Sequence, residues 1–190
     1  MAKKRAPAGG QATPEPGGDG NPPPFPMIRV CLLFAALVLG FHMVQWMLVK
    51  PWHLEFLQLA TARAAAAVIA ASGIGVRLEG IDLYMGFAHW KVVLECTAFS
   101  AALVYLSFVL AYPASLRSKV LGALAGLPLL FIINVARLFV LAWLVKLWPG
   151  IAPFAHDYLW QVLFLFLLVL MWLSWIELVV KRENKVPLRR

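Results

Sequence analysis

Cysteine is scarce in this chain, and the two that occur, Cys31 and Cys96, are too few for a disulfide framework. No CxxC, HExxH or GxGxxG pattern occurs, so the sequence supports neither a metal nor a nucleotide site, and no cofactor is expected. Charge is sparse as well. Charged residues make up 14% of the chain, and only nine residues are acidic. In a soluble protein the net charge of +8 would point to nucleic acid. Here the basic residues flank apolar runs, where they read as topology determinants and lipid-headgroup contacts. No nucleic-acid motif is present, so the expected non-protein partner is membrane lipid.

What the chain has in abundance is apolar side chains. They account for 62% of its 190 residues, against roughly 45–50% in a soluble domain. The excess lies in long runs, which makes the bilayer the expected solvent. The expected fold is an all-α membrane protein, a bundle of four to five transmembrane helices with a small external hairpin or irregular segment before Cys96. There is room for one compact bundle and no second folded domain.

Residues 1–26 are Pro/Gly-rich and nearly free of large apolar side chains, so they read as a disordered cytoplasmic tail. The membrane domain, one unit, is placed at 27–181, and 182–190 are expected to form a basic cytoplasmic tail. Ile28 to Val49 reads as the first span, ended by Lys50–Pro51–Trp52. Leu54 to Ser72 is Ala-rich, with Glu55, Gln58 and Ala62 on one face, and is stopped by Gly73 and Gly75. Residues 76–95 alternate β-branched or aromatic with polar residues around Gly80 and Gly86, which predicts a hairpin or irregular loop. Thr97 to Tyr112 is a short span ending at Pro113. Val120 to Trp148 is a long apolar segment broken by Gly126 and Pro128. After the Pro149–Phe154 loop, Asp157 or a near neighbour caps the last span, which runs to about Val180. Glu177 and Lys181 are spaced to pair at its end.

Basic clusters at Lys3–Arg5 with Arg29, at Arg117 and Lys119, and at Lys181–Arg190 are expected to face the cytoplasm. Four spans satisfy this, with the 54–72 helix at the interface. A five-span arrangement would put Lys3–Arg5 outside. In either case Cys96 lies at the outer end of its helix. Arg137 sits about 25 Å up from the inner side, and His156 lies just outside the last span. A cysteine, an arginine and a histidine thus share one membrane depth, while Cys31 lies near the opposite face.

That set suits acyl transfer. Cys96 opens a helix, where unsatisfied N–H groups favour a thiolate; the plainer reading is a small apolar filler. Arg137 within a span costs at least about 2.5–3.5 kcal/mol and is a functional candidate by default, although it can also snorkel to headgroups. Asn134 lies one turn away on its face. His156–Asp157 can be a catalytic base with a neighbour, or a solvated cap. His89 is the rival base, and His42 and His53 are weaker candidates. A thiolate nucleophile, a histidine proton donor and an arginine oxyanion partner complete the chemistry.

At these residues the sequence resembles the exosortase/archaeosortase family of membrane-embedded cysteine transpeptidases. The likeness rests on Glu95–Cys96–Thr97, Asn134–Val135–Ala136–Arg137 and His156–Asp157, in that order over roughly residues 28–180. The resemblance implies that Cys96, Arg137 and His156 are catalytic, with Asn134, Thr97 and Asp157 in support. It implies as substrates secreted proteins ending in a short motif, one transmembrane helix and a basic cluster. It further implies a bacterial inner membrane with the site facing outward. Family members often carry glycine where this chain has Ala98. Two other readings remain: a small transporter or proton-relay subunit with Arg137 and His156 lining a path, and a non-catalytic assembly factor.

Overall fold

The structure is a computed structural model that describes residues 27–48, 54–151 and 154–185; the side chains of Leu48, His156, Asp157, Asn184 and Lys185 lie outside it. The expected tail 1–26, the stop at Lys50–Trp52, His53 and part of the Pro149–Phe154 loop fall outside the described residues. The order is α1 (Met27–Leu48), α2 (Glu55–Ala71), β1 (Val76–Glu79), β2 (Asp82–Met85), β3 (Ala88–Lys91), α3 (Phe99–Ala111), α4 (Leu116–Leu147) and α5 (Trp160–Trp175). A π-helical turn, Ala155–Leu159, leads into α5, and a second, Ile176–Val180, carries it on into Lys181–Lys185.

The chain is a helical membrane protein. Among the described residues, three helices are long and apolar enough to span a bilayer: Met27–Met47, Leu116–Leu147 and Trp160–Glu183. The 13 residues of α3 reach only about 20 Å at 1.5 Å per residue. It nevertheless lies inside the bundle, against α1, α4 and α5. Phe34 near the start of α1 packs edge-on against Phe108 near the end of α3 and against Trp172 of α5. The start of α1, the end of α3, the start of α4 and the end of α5 therefore share one end of the bundle, and Arg29, Arg117, Lys119 and Lys181 lie there. Lys181 pairs with Glu177, as their spacing anticipates.

Ser115 caps α4 by accepting from Ser118 N–H at 3.1 Å. Both serine hydroxyls donate to the Glu183 carboxylate, and Trp175 Nε1 donates to Ser118 O at 2.9 Å. These bonds fasten the start of α4 to the end of α5.

The apolar segment after Pro113 is one unbroken helix, with Pro128 inside it. Proline there frees a single carbonyl, a loss that packed spanning helices tolerate. Gly126 does not break the helix either; it makes room for a ring. Tyr105, 2% exposed, lies against it and donates from Oη to Gly122 O at 3.1 Å. Around Tyr105 gather Val109, Leu130, Leu168, Met171 and Trp175, the core of the bundle.

A second core sits beside the C-terminal half of α4. Gly73, at φ +85°, ends α2, and the 76–95 segment folds as a three-stranded antiparallel meander, one strand more than a hairpin. Its register runs Arg77↔Tyr84, Leu78↔Leu83, then Leu83↔Trp90 and Tyr84↔His89. Alternation sends Leu83 and Met85 inward against Ala62, Ala65 and Ile69 of α2 and Leu138 and Ala142 of α4. Trp143 Nε1 donates to Ser72 Oγ at 3.2 Å, tying α4 to the end of α2.

A Cβ added at Gly126 would fall within 3 Å of Tyr105, whereas one at Gly40 meets nothing. Gly126→Ala is expected to lower the thermal midpoint of the detergent-solubilised protein, overpacking costing about 1–3 kcal/mol. Gly40→Ala should leave it level or slightly higher, alanine being the better helix former. Equal midpoints for the two variants would refute the close seat of Tyr105.

Candidate active site

Cys96 sits between the two cores. It ends a single 3-10 turn, Leu94–Cys96, and α3 begins only at Phe99. The cysteine therefore precedes the helix by a turn rather than opening it. Thr97 is the reason. Its hydroxyl donates to Leu94 O at 2.6 Å and accepts from Phe99 N–H at 3.3 Å, so the first amide of α3 is taken by Thr97 and is not free for a thiolate. Ala98 adopts φ −76°, ψ 6°, which any residue reaches, so nothing in the backbone there calls for glycine.

Asn134 fixes the cysteine segment from the other side. It is 1% exposed, and its Nδ2 donates to the main-chain oxygen of Cys96 at 2.8 Å. The bond spans 38 residues of chain and ties the turn to α4. One turn further along α4, Arg137 is half-buried. It shares a cleft with Glu95 and Thr97, the residues on either side of Cys96. Arg137 Nε is buried without a hydrogen-bond partner, and among the described residues no carboxylate pairs with the guanidinium.

A cleft of about 320 Å³ opens between α3, α4 and α5 at this level, with Glu95, Thr97, Ser100, Asn134, Arg137 and Gln161 as its polar lining. Ser100, Glu95 and Gln161 were not singled out as site residues from the sequence. Gln161 did carry a signal, an amide in the first turn of an otherwise apolar span. Further along the seam between α4 and α5 lies an apolar groove of about 360 Å³, lined by Tyr105, Gly126, Leu129, Leu170 and Ser174 among others.

The histidines divide. His89 stacks on Tyr84 with ring centroids 4.4 Å apart, and its Nε2 lies 3.0 Å from Asp82 Oδ1. That is the face of the meander opposite Leu83, against whose core Cys96 packs. The side chain of His89 thus points away from the thiol. The backbone of His156 and Asp157 forms the π-helical turn at the entry to α5, one turn before Gln161 and the cleft. Asp157 lies inside that turn and is not the cap of the helix. The side chains of both residues are outside the described set. Cys31 is exposed on α1, near the opposite end of the bundle.

A family model for transmembrane exosortases (Exosortase_EpsH) matches residues 28–173. The chain belongs to the exosortase family. No curated protein and no solved structure matches it significantly. Exosortase membership points to a membrane transpeptidase. The matched stretch runs from the start of α1 through the meander to two residues short of the end of α5, and stops before Glu183.

Loss of the Asn134 amide would leave the Cys96 carbonyl without its donor, a cost of about 1–3 kcal/mol for a buried group. Asn134→Ala is expected to lower the thermal midpoint of the purified exosortase clearly, and Ser100→Ala, at an exposed position, to leave it in place. An unshifted midpoint for Asn134→Ala would show that the bond does not hold the segment.

Proposed function

We propose that this exosortase is a cysteine transpeptidase. In this reading it removes a C-terminal sorting signal from secreted proteins at the outer face of a bacterial inner membrane, with Cys96, Arg137 and His156 as its catalytic residues. The observation that carries the reading is Arg137. A half-buried guanidinium with an unpartnered Nε, beside a half-buried thiol, is costly unless something negative forms there. The oxyanion of an acyl-transfer intermediate is such a charge.

The Cys96 thiolate attacks the scissile carbonyl, its electron pair forming the S–C bond while the carbonyl π pair moves onto the oxygen, which Arg137 stabilises. Collapse of the intermediate breaks the C–N bond and leaves a thioester on Cys96. His156 supplies the proton that the departing amine takes up. The same imidazole then draws a proton from the acceptor, water or an amine, which attacks the thioester and expels the Cys96 thiolate, restoring the starting thiolate and imidazolium. Thr97 and Asn134 touch no reacting atom in this scheme; they hold the Cys96 turn in place. Asp157 supports His156. The seam between α4 and α5, polar at Arg137 and apolar beyond, suits a substrate whose cleavage point adjoins a membrane helix. No metal or cofactor takes part.

The test is processing of a secreted reporter ending in a short motif, one spanning helix and a basic cluster, taken from the same organism's own proteins. Cys96→Ala should abolish cleavage at matched membrane levels, and Cys31→Ala should keep it. Arg137→Lys should lose at least tenfold, because an ammonium does not reproduce the planar fork of donors. Normal processing by Cys96→Ala would end the cysteine mechanism.

The same reading has the basic end of the bundle in the cytoplasm. An impermeant thiol reagent applied to intact spheroplasts should label Cys96, or a cysteine placed at Asp157, and spare one placed at Ser118. Labelling at Ser118 without lysis would overturn the orientation.

A further inference from the structure

The meander has a free edge, and that edge leads to Cys96. Strand order β1-β2-β3 leaves β3 paired on one side only. Val92 N–H donates to Ile81 O at 2.9 Å. Bonded and non-bonded pairs alternate along an antiparallel ladder. Counting back from Val92, the Leu83↔Trp90 pair is therefore bonded, and Asp82↔Lys91 and Tyr84↔His89 are not. The main-chain N–H and C=O of His89 and Lys91 consequently point away from β2. No other hydrogen bond among the described residues meets them.

These outward groups border a cavity. Its volume is about 230 Å³, and the consecutive residues His89–Val92 form one wall. Ile69 of α2 and Leu138 and Leu141 of α4 line the rest, and Cys96 opens into the same space. Trp90 and Val92 face the core and can border the cavity with their side chains, whereas His89 and Lys91, whose side chains point to the other face, reach it through their main chain. The cavity thus presents a strip of unpaired donors and acceptors, an apolar hole and the thiol.

We propose that the segment of the substrate just before its cleavage point binds as an added strand on β3, in register with His89 and Lys91. An unpaired edge is a template for main-chain pairing with an extended peptide, and pockets for alternate side chains supply the selectivity. Here the pocket takes one small or medium apolar side chain. The occupant is an extended peptide and not a lipid chain, because an acyl chain would leave the outward N–H and C=O groups unpaired. The inference rests on the cysteine transpeptidase reading above, and it names how that site recognises its substrate.

Two experiments test it with the full chain in membranes and the same reporter. Proline removes the outward N–H and is tolerated on an edge strand. His89→Pro and Lys91→Pro should each process the reporter at least tenfold more slowly than His89→Ala and Lys91→Ala. Labelling of Cys96 by a small thiol reagent should stay at its normal rate in all four. Equal processing by the proline and alanine variants overturns the proposal. The second experiment does not depend on the fold of the proline variants. In a chain carrying Cys31→Ala, Cys96→Ala and Lys91→Cys, oxidation should cross-link reporters whose single cysteine steps through the residues before the cleavage point. Cross-linking should recur at every second position, the period of a strand. A smooth or absent profile overturns strand pairing. If processing requires Cys96 but no alternation appears, strand pairing alone falls. If Cys96→Ala processes normally, the underlying cysteine reading falls.

Discussion

The bond from Asn134 to the Cys96 carbonyl is the constraint on which the arrangement of this exosortase depends. Cys96 lies on a short turn between a small sheet and a helix of only 13 residues, both of which pack on the long α4. The hydrogen bond that ties the turn itself to α4 comes from a single amide, buried to 1% exposure. Because the donor sits one turn from Arg137 on the same helix, the bond sets the thiol and the guanidinium at a common height. A neutral amide suits the task, since a charged donor in its place would compete with Arg137 for the anion the site is proposed to hold.

The two cores divide the labour around that bond. One, centred on Tyr105, packs α3 against α4 and α5 and sets the frame of the bundle. The other, built on Ala62, Ala65 and Ile69, presses the meander onto the far half of α4. Small residues on α2 allow the sheet to come close, so β3 runs directly into the Cys96 turn. The Cys96 turn thus lies between two cavities, the thiol lining the first and its neighbours Glu95 and Thr97 the second. One is bordered by a strand edge, the other by Arg137 and the seam between two spanning helices.

Much of this was legible in the sequence wherever the signal was local. The apolar runs gave α1, α4 and α5, the glycine at 73 marked the end of α2, and Glu177 and Lys181 paired as spaced. Where residues distant in sequence decide, the reading fell short. Gly126 and Pro128 look like breakers, but Tyr105, 17 residues before its acceptor Gly122, fills the notch and the helix runs through. The third strand follows from Phe87 and Gly86 turning the chain a second time, which a short alternating pattern does not distinguish from a loop. Cys96 was read as the first helical residue because nothing in the string says that the Thr97 hydroxyl will claim the first amide. Asn134 was noticed for its proximity to Arg137, whereas its contact is with a carbonyl 38 residues away. The rival base, His89, was set aside by strand parity, which only the register supplies.

The clamp formed by Ser115, Ser118 and Glu183 has a mechanical consequence. It pins α4 to α5 at the end where the basic residues gather, and the indole of Trp175 adds a second fastening within two turns. At the opposite end the two helices are separated by the cleft at Arg137 and Gln161. The chain itself joins α4 to α5 at the other end, between Leu147 and Ala155, so the two helices are fastened at both ends. The cleft lies between those two fixed points, about 30 Å of helix from Leu116. It widens by a bowing of the rods between their fastenings and not by a swing of one away from the other.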